Sequence, residues 1–399
     1  MARGGNNLLH NAKRDKNNEF YTQYIDIQKE VIRYLDFNPN LFREKTILLP
    51  CDDPEWSNFT KYFAQNFEKF GIKKLISTSY APQSSQKANY YQPSLFETES
   101  PLFDENKTVT NGKIFVLERD LNQNQRIDID DLEWRYLEGD GDFRSQEVTK
   151  LRDEADFIIT NPPFSLFREF FAWCVDSKKK YLMIGNINCV ACKDVFTEIK
   201  ANRAWLGHGM GRWISGFIVP KDYPLSGTEA YIDNDGNRIV ATNNCLWLTN
   251  IEHGKRYEPL PLMTMSDNIK FSSHKDVRGK GYQKYDNYDA IEVPYTDAIP
   301  SDYDGVMGVP ITFLDKYCPE QFEILGASQR GCHDDFLDNK KYDSYWEVRQ
   351  DGTKTGSSGN KTNENPNLSQ NDGKKNYFVN AEGHIVQSCY HRIFIKFKK

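Results

Sequence analysis

The stretch from Ala155 to Ser165 reads ADFIITNPPFS, and it joins a strand signal to a chemical motif. Phe157, Ile158 and Ile159 form a continuous apolar run, which is typical of a fully buried β-strand. The tetrapeptide 161–164, Asn-Pro-Pro-Phe, follows almost at once and marks the carboxyl end of that strand. Open α/β sheets bind their ligands at the carboxyl ends of their strands. The stretch therefore predicts an α/β fold with a binding site at residues 161–164.

The residue types of this tetrapeptide fit the recognition of a heterocyclic amine. The side-chain carbonyl of Asn161 and the main-chain carbonyl of Pro162 can both accept hydrogen bonds from one planar NH2 group. The ring of Phe164 offers a stacking face for the heterocycle. An enzyme that methylates the exocyclic nitrogen of an extruded adenine needs this combination. The alternative is a turn that only ends the strand, because Asn-Pro and Pro-Pro both interrupt regular structure.

The composition indicates a folded protein with no overall preference for nucleic acid. The chain has 399 residues, of which 38% are hydrophobic and 14% aromatic, and its formal net charge is -6. Any contact with nucleic acid must therefore come from local basic patches. No segment is long and apolar enough to span a membrane, and the N-terminus lacks the apolar core of a signal peptide. We therefore expect a cytoplasmic protein.

The cysteines predict neither disulfides nor a metal site. All eight are scattered singly, apart from Cys189 and Cys192, which form a CxxC pair. No second CxxC or His pair stands at zinc-finger spacing from them. We expect reduced thiols, a packing role for this pair and no bound metal.

Strand and helix signals alternate through the first half of the chain. The expected strands are Thr46–Leu49, Lys74–Thr78, Ile114–Leu117, Phe157–Ile159 and Tyr181–Gly185, and the expected helices are Asp26–Leu35, Ser57–Phe70 and Leu166–Val175. This alternation is typical of a doubly wound, mostly parallel sheet. We predict an α/β catalytic domain over residues 19–204, with a surface insertion at 81–112.

The two ends of the chain have other patterns. Residues 1–18 are polar and basic, and they are either a flexible arm that touches phosphate or a solvated end. Beyond about residue 205, short β-like runs are separated by turns, which predicts a mixed α+β region over 205–399. Residues 350–376 are almost free of apolar side chains, so we expect a mobile loop there.

Further motifs stand where a methyl-donor site needs them. They are Glu19-Phe20-Tyr21-Thr22 near the N-terminus, Cys51-Asp52-Asp53 after the first strand, and Asp142-Phe143 before the tetrapeptide strand. A cationic sulfonium donor favours nearby carboxylates, and an adenine ring favours a carboxylate for its amine and an aromatic wall. The alternative for Asp52 and Asp53 is a helix cap, because Asp is common at that position.

Together these motifs resemble the adenine-specific DNA methyltransferases of the EcoRI family. The resemblance continues through residues 308–317, GVPITFLDKY, and 390–395, YHRIFI, so it covers nearly the whole chain. It implies a Rossmann-like fold that methylates the N6 amine of adenine in duplex DNA with S-adenosylmethionine as the methyl donor. It also implies a C-terminal target-recognition region over 205–399, in a bacterial or phage-infected cell.

The resemblance assigns roles to individual residues. Asn161, Pro162, Pro163 and Phe164 would hold and stack the extruded adenine. Asp52 or Asp53 would face the methionine end of the donor, and Asp142 with Phe143 would meet its adenine. Phe20, Tyr21, Thr22 and Cys51 would complete the donor pocket. The first strand lacks the usual Gly-rich loop, and Ser77–Tyr80 offers no carboxylate for the ribose of the donor.

The segment Lys270–Lys284, which we name the basic loop, is the best candidate for phosphate contact. The DNA-contacting residues that we predict are Lys275, Arg278, Lys280 and Lys284 in this loop and Arg392 near the C-terminus. The alternative is a solvated basic loop. Trp205 and Trp213 are weaker candidates for insertion into the base stack, because tryptophan is more often a core residue.

Other reactions and partners remain open from the sequence. Asn-Pro-Pro-aromatic motifs also suit methylation of RNA adenines or of glutamine amides in proteins, and a non-catalytic nucleic-acid binder is a further alternative. We expect a monomer that acts on double-stranded DNA, either as an orphan or phage-borne modifier or beside a cognate restriction endonuclease without a stable complex. Family resemblance alone points to GAATTC, since base-reading side chains have no sequence signature.

Overall fold

The computed structural model describes residues 21–53, 57–81, 95–121, 123–124, 127, 131–219, 230–241, 244–328, 339–359 and 363–398. The chain divides into two compact units, which are Met1–Cys189 with Ala204–Gly254 and Val190–Arg203 with Lys255–Lys399. The predicted N-terminal arm and Phe20 lie outside the described residues. Within those residues, no helix has the length and apolarity to cross a membrane.

The first unit contains twelve strands and seven helices in its described part. The strands are β1 (Tyr21–Thr22), β2 (Thr46–Leu49), β3 (Lys74–Ser79), β4 (Lys113–Leu117), β5 (Glu133–Tyr136), β6 (Phe157–Thr160), β7 (Lys180–Asn186), β8 (Trp205–Met210), β9 (Phe217–Val219), β10 (Ala230–Ile232), β11 (Arg238–Val240) and β12 (Cys245–Thr249). The helices are α1 (Tyr24–Phe37), α2 (Asn58–Gln65), α3 (Phe67–Phe70), α4 (Leu95–Thr98), α5 (Lys107–Thr110), α6 (Gln146–Glu154) and α7 (Phe167–Ser177).

Eight strands form the central sheet, in the order β5-β4-β3-β2-β6-β7-β12-β8. The four inner strands β3, β2, β6 and β7 are parallel to one another. The other four pairings, on the two flanks, are antiparallel. The prediction of an α/β sheet is confirmed, but the prediction that it is mostly parallel is wrong outside the centre. The direction in which two strands pair depends on the path of the chain between them, which local periodicity does not report.

The parallel centre contains a topological switch point. β2 leads through α2 and α3 to β3 on one side, whereas β6 leads through α7 to β7 on the other side. β2 and β6 are direct neighbours, with Ile47 opposite Phe157 and Leu48 opposite Ile158. Crevices at the carboxyl ends of such strands bind ligands in open α/β sheets. The strand ends at Leu49 and Thr160 therefore mark the expected site.

Apolar side chains at helical spacing hold α1 and α2 against the sheet. Ile27, Val31 and Tyr34 of α1 are buried, as are Phe59 and Phe63 of α2. The single helix expected over 57–70 is divided at Asn66, which lies between α2 and α3. Both pieces still bury the aromatic face that the sequence predicts, so the division leaves this packing intact.

Residues 204–254 group with the first unit, whereas the expected domain boundary lies at 204. β12 pairs along its whole length with β7, and β8 pairs with β12. On the outer side of β8, the main-chain amides of His208 and Gly209 donate to the carboxylate of Glu30 in α1, at 2.7 and 2.8 Å. A side chain on Gly207 would collide with the same carboxylate. The glycine therefore permits the close approach of helix and strand.

A small antiparallel sheet, ordered β1-β9-β11-β10, completes the first unit. The N-terminal strand β1 pairs with β9, with Thr22 opposite Phe217. The Asp26 carboxylate in α1 accepts from both the main-chain amide and the hydroxyl of Ser215, each at 2.8 Å. These contacts fix the start of the described chain beside the segment that follows β8.

The second unit combines two helices with two sheets in its described part. Its helices are α8 (Lys193–Lys200) and α9 (Met265–Phe271). Its strands are β13 (Ile291–Glu292), β14 (Met307–Pro310), β15 (Phe322–Ala327), β16 (Trp346–Val348), β17 (Lys354–Ser358), β18 (Asn367–Leu368), β19 (Tyr377–Val379), β20 (Ile385–Ser388) and β21 (Arg392–Phe397). The sheet orders are β13-β14-β21-β15 and β17-β16-β19-β20-β18.

Two segments predicted as loops contain paired or buried residues. Within residues 350–376, β17 pairs with β16 and β18 pairs with β20, and Asn367 is fully buried. Polar side chains hold this region, since Asn367 donates to and accepts from its neighbours where apolar contacts are few. In the insertion 81–112, Glu97 and Thr108 are buried, and the Lys113 ammonium pairs with Glu97 at 2.5 Å. That part of the insertion is therefore not merely a surface segment.

Candidate active site

The tetrapeptide 161–164 leaves the buried strand β6 at the switch point. Pro162 is buried, whereas Asn161, Pro163 and Phe164 are half-buried. The two prolines fix φ and lack amide donors, so the chain cannot continue as a strand or a helix here. The main-chain amide of Leu166 donates to Pro163 O at 2.9 Å, which closes a 3-10 turn over Phe164–Leu166 before α7 begins. The strand end is thus held in one defined conformation.

Asp52 connects the neighbouring strand end to β6. Its Oδ1 accepts from the Ser57 hydroxyl at 2.7 Å, and its Oδ2 accepts from the Thr160 hydroxyl at 2.6 Å. Ser57 is the N-cap of α2, where its oxygen accepts from the Phe59 amide at 3.1 Å. We name these two bonds to the carboxylate the Asp52 link. It joins the end of β2, the start of α2 and the last residue of β6.

The N-terminal strand reaches the same place. The main-chain oxygen of Thr22 accepts from the side-chain amide of Asn58, in the first turn of α2, at 2.8 Å. Its register partner Phe217 makes an edge-to-face contact with Phe164, with ring centroids 5.9 Å apart and planes at 74°. The structure therefore brings Thr22, Asp52 and Phe164, which are far apart in the sequence, to one edge of the sheet.

The loop 139–143 approaches from the end of β5. The Ala81 amide donates to Asp140 O at 2.7 Å, and a side chain on Gly141, whose φ is +81°, would collide with the carbonyl oxygen of Ser79. Gly141 thus allows the loop to lie against the end of β3. The Asp142 carboxylate binds Arg144 through both oxygens, at 2.9 and 2.6 Å. This pairing lowers the pKa of Asp142, so the carboxylate stays ionised.

Phe143 has a packing role in this structure. Its side chain is buried, and its ring meets Phe170 and Trp173 edge to face at 5.1 and 5.7 Å. Both partners lie on α7, directly after the tetrapeptide. Phe143 therefore anchors the loop that carries Asp142, and the contact of its ring with a donor adenine stays a prediction.

The electrostatic character of the site is acidic. Burial raises the pKa of Asp52 to about 7, although its hydrogen bonds with Thr160 and Ser57 oppose this. Burial also raises the pKa of the Cys51 thiol, and the charges of Asp52 and Asp142 raise it further. Cys51 is therefore a neutral neighbour of carboxylates. Asp53, next in the chain, is half-buried.

Sequence reasoning missed three partners of the predicted residues. Thr160 and Ser57 hold Asp52, and Phe217 packs against Phe164. The position of Thr160 was a usable signal, because a hydroxyl at the last position of an apolar strand needs a buried partner. Phe217 could not be inferred, since its place depends on a long-range strand pairing.

The basic loop of the second unit has a defined shape. Val277 is fully buried, and the Arg278 amide donates to His274 O at 2.9 Å. The ring of His274 stacks on Tyr295, with centroids 3.7 Å apart and planes at 6°. Lys275 and Arg278 are exposed, and neither has an ion-pair partner among the described residues. Both cations are available to phosphate.

The other predicted DNA-contacting residues are engaged to different degrees. Lys280 lies 3.7 Å from Asp276, and Lys284 lies 2.7 Å from Asp289, with both lysines about two-thirds exposed. Arg392 differs, because its side chain is only 11% exposed and binds Glu292 at 2.6 Å. Its remaining donors face the main-chain oxygens of Tyr390 and His391. Contact of Arg392 with DNA stays a prediction, and the pairing of its guanidinium inside the unit makes it a weaker candidate than Lys275 or Arg278.

Exposed aromatic side chains add to these candidates. Trp213, after β8, is 54% exposed, whereas Trp205 is buried and donates from its indole to Ile251 O at 2.9 Å. Phe271, at the end of α9 and within the basic loop, is 70% exposed, which sequence analysis did not single out. An exposed ring beside cations suits contact with nucleic acid.

The cysteine pair offers no metal site in this structure. Cys189 is buried and Cys192 half-buried. No group of three or more His, Cys, Asp or Glu in the part of the chain that the structure describes is arranged to hold a metal ion.

Comparisons with known proteins place this site in a family. A family model described as "Adenine-specific methyltransferase EcoRI" matches residues 8–398. The chain is 45% identical to the type II methyltransferase M.EcoRI of Escherichia coli, over 82% of this chain and 90% of that protein. It is 33% identical to M.MgeORF184P of Mycoplasma genitalium and to M.MpnI of Mycoplasma pneumoniae, each over 79% of this chain. Those alignments cover 84% and 83% of the two proteins.

No solved structure matches the chain. The family model spans both units, and the alignment with M.EcoRI covers more than two thirds of each chain. The order of motifs, the switch-point geometry and these matches agree, and the chain belongs to the EcoRI family of adenine-specific DNA methyltransferases.

Proposed function

We propose that this protein transfers a methyl group from S-adenosylmethionine to the N6 amine of an adenine that is extruded from duplex DNA. The observation that supports this most is the position of Asn161 and Pro162 at the end of β6, beside the end of β2. A base inside a duplex is not accessible to such a buried strand end, so the target nucleotide must leave the stack.

The strand end supplies the acceptors for the amine. Asn161 Oδ1 and Pro162 O would accept its two hydrogens, which aligns the nitrogen lone pair with the methyl group and stabilises the positive charge that develops there. Phe164 would stack on the base, and its contact with Phe217 is edge to face. No strong general base is required, because the amine loses its proton after the bond to carbon forms.

The chemistry of the neighbouring residues fits the donor. The Thr22 hydroxyl is buried and lacks a hydrogen-bond partner among the described residues, so it is free to bind a polar group. Asp53 and Asp142 add negative charge, and Asp142 is held ionised by Arg144. When bound, S-adenosylmethionine supplies an electrophilic methyl group on a sulfonium, whose positive charge these carboxylates favour. Phe20, Tyr21, Cys51 and Phe143 would complete the donor pocket around Asp52 and Asp53.

The basic loop would bind the DNA backbone. Lys275 and Arg278 are the cations best placed for phosphate, and Lys280 and Lys284 would exchange their carboxylate partners for it. Type II relatives favour a role in a restriction-modification system, in which the methylated site is protected from an endonuclease. A monomer suffices for one transfer per strand.

The test is transfer of labelled methyl groups from S-adenosylmethionine to unmethylated double-stranded DNA, with digestion to nucleosides and mass spectrometry. We expect N6-methyldeoxyadenosine. If label appears only in RNA or protein, or if methylated cytosine is the product, the proposal is wrong.

Asn161→Ala tests the residue assignment. The loss of one preorganised acceptor should lower the transfer rate by about 10²-fold to 10³-fold, while donor affinity is kept. Asn188→Ala is the matched control, because Asn188 is an exposed asparagine just after β7 at the same edge of the sheet. Equal rates for the two variants would remove Asn161 from the mechanism.

A further inference from the structure

We infer that Asp52 is a positioning residue of the methyl transfer, which fixes Thr160 and thereby Asn161, and that Asp53 is the carboxylate that meets the donor. This inference rests on the proposed function above. It replaces the expectation that either carboxylate could face the donor.

The contacts of Asp52 are all directed into the protein. Its two carboxylate oxygens accept from the hydroxyls of Ser57 and Thr160, and the residue is only 6% exposed. Its main-chain amide donates to Thr78 O at 3.0 Å, and its main-chain oxygen accepts from the Ser77 hydroxyl. Little of its surface is left for the ammonium group of a donor.

The surroundings of the Asp52 link form a buried polar layer. Thr60 and Ser77 share a hydrogen bond at 2.9 Å, and the Thr78 hydroxyl donates to Pro50 O at 3.0 Å. These residues lie on α2 and β3 and at the end of β2. A buried network in which every hydroxyl has a partner rigidifies the groups that it connects. The link thus ties three elements around the switch point into one arrangement.

The consequence for the reaction follows from chain connectivity. Thr160 is the residue directly before Asn161, so any displacement of Thr160 moves both proposed acceptors of the amine. In-line transfer is sensitive to such displacements, and a shift of about 1 Å can lower the rate by about 10²-fold. Asp53 is half-buried, and it stands one residue beyond the link. It can therefore approach a ligand without loss of the link.

The first experiment separates positioning from donor binding. Thr160→Val removes the β6 bond of the link, and Thr160→Ser keeps the hydroxyl. In single-turnover methylation with saturating donor and DNA, we expect Thr160→Val and Asp52→Asn to lower the rate about tenfold or more. Thr160→Ser should restore most of it. Donor affinity, measured by calorimetry on the full chain, should change by less than about threefold in all three.

Asp53→Asn tests the donor contact. It should weaken donor binding about tenfold, which none of the three variants above should do. The double variant Asp52→Asn with Thr160→Val should be no slower than either single variant, because both remove the same link. Thermal unfolding of each variant sets an assay temperature at which all are folded.

The pH profile gives a readout that a purely structural role would not change. The ionised carboxylate accepts from both hydroxyls, whereas a protonated one must give up one of these bonds. With the pKa of Asp52 near 7, the wild-type single-turnover rate should rise with pH through that value, and Asp52→Asn should lose the inflection. The pKa of Asp142 is lowered and that of Cys51 is raised, so neither titrates there. Whether Asp53 contributes to the inflection is tested with the Asp53→Asn variant.

Two outcomes would overturn the inference. One is a large loss of donor affinity in Asp52→Asn with an unchanged rate at saturation, which would make Asp52 a donor contact. The other is a Thr160→Val rate equal to wild type. Failure of the proposed function itself would be seen earlier, as wild-type protein that does not methylate DNA.

Discussion

Replacing both Lys275 and Arg278 with alanine removes two exposed cations of the basic loop that have no ion-pair partner among the described residues. Each phosphate contact contributes about -0.9 to the slope of log affinity against log salt, so the double variant should have a slope flatter by about 1.8. Between about 50 and 200 mM salt, wild-type affinity should then fall roughly tenfold more than that of the variant. The fold should be unaffected, because both side chains lie at the surface.

The assay is fluorescence anisotropy of a labelled duplex at a series of salt concentrations. Lys284→Ala is the control, because Lys284 already pairs with Asp289 at 2.7 Å and should release fewer counterions on binding. An unchanged slope in the double variant, or a larger change in the control, would refute the assignment of phosphate contact to Lys275 and Arg278.

Four further predictions concern other parts of the structure. Gly141→Ala should destabilise the protein by about 3 kcal/mol in urea unfolding, because Gly141 has a φ of +81° and an added side chain would collide with Ser79. Gly139→Ala should be nearly neutral, because a side chain there meets nothing within 4 Å. Arg392→Met should cost about 3–5 kcal/mol of stability by leaving Glu292 buried without its partner, and an altered DNA salt slope without loss of stability would contradict this. Phe271→Ala should lower DNA affinity about tenfold while the unfolding temperature stays the same, and unchanged affinity would exclude contact there. The pKa of Asp52 is raised from 3.8 to about 7, so protonated Asp52 contributes stability at low pH that is lost as the pH rises from about 4 to about 7. The stability of Asp52→Asn relative to wild type should therefore increase over the same pH range.

Local patterns in the sequence were enough for most elements of the parallel centre. Thr46–Leu49 was predicted with its observed bounds, and Phe157–Ile159 was predicted one residue short. Both strands are buried on two faces, which leaves a continuous apolar run that needs no knowledge of the neighbours. The motif at 161–164 could be placed at the edge of the sheet because it directly follows one of these apolar runs.

The flanks and the domain boundary required information that local patterns lack. Short β-like runs were predicted beyond residue 205, but nothing in them identifies β7 as the partner of β12. The same limit applies to Arg392, because only the fold shows that Glu292 lies beside its side chain. Of the candidate site, the backbone positions were predictable, whereas the hydrogen bonds of Asp52 depend on Ser57 and Thr160 meeting in space.

The Glu30 carboxylate has a consequence beyond its role in packing. β8 is the outermost strand of the central sheet, and an uncovered outer strand offers its amides to the strands of other chains. Glu30 occupies the amides of His208 and Gly209, at the place where the register between β8 and β12 shifts. The central sheet is thereby protected on this side against strand addition and the self-association that follows from it.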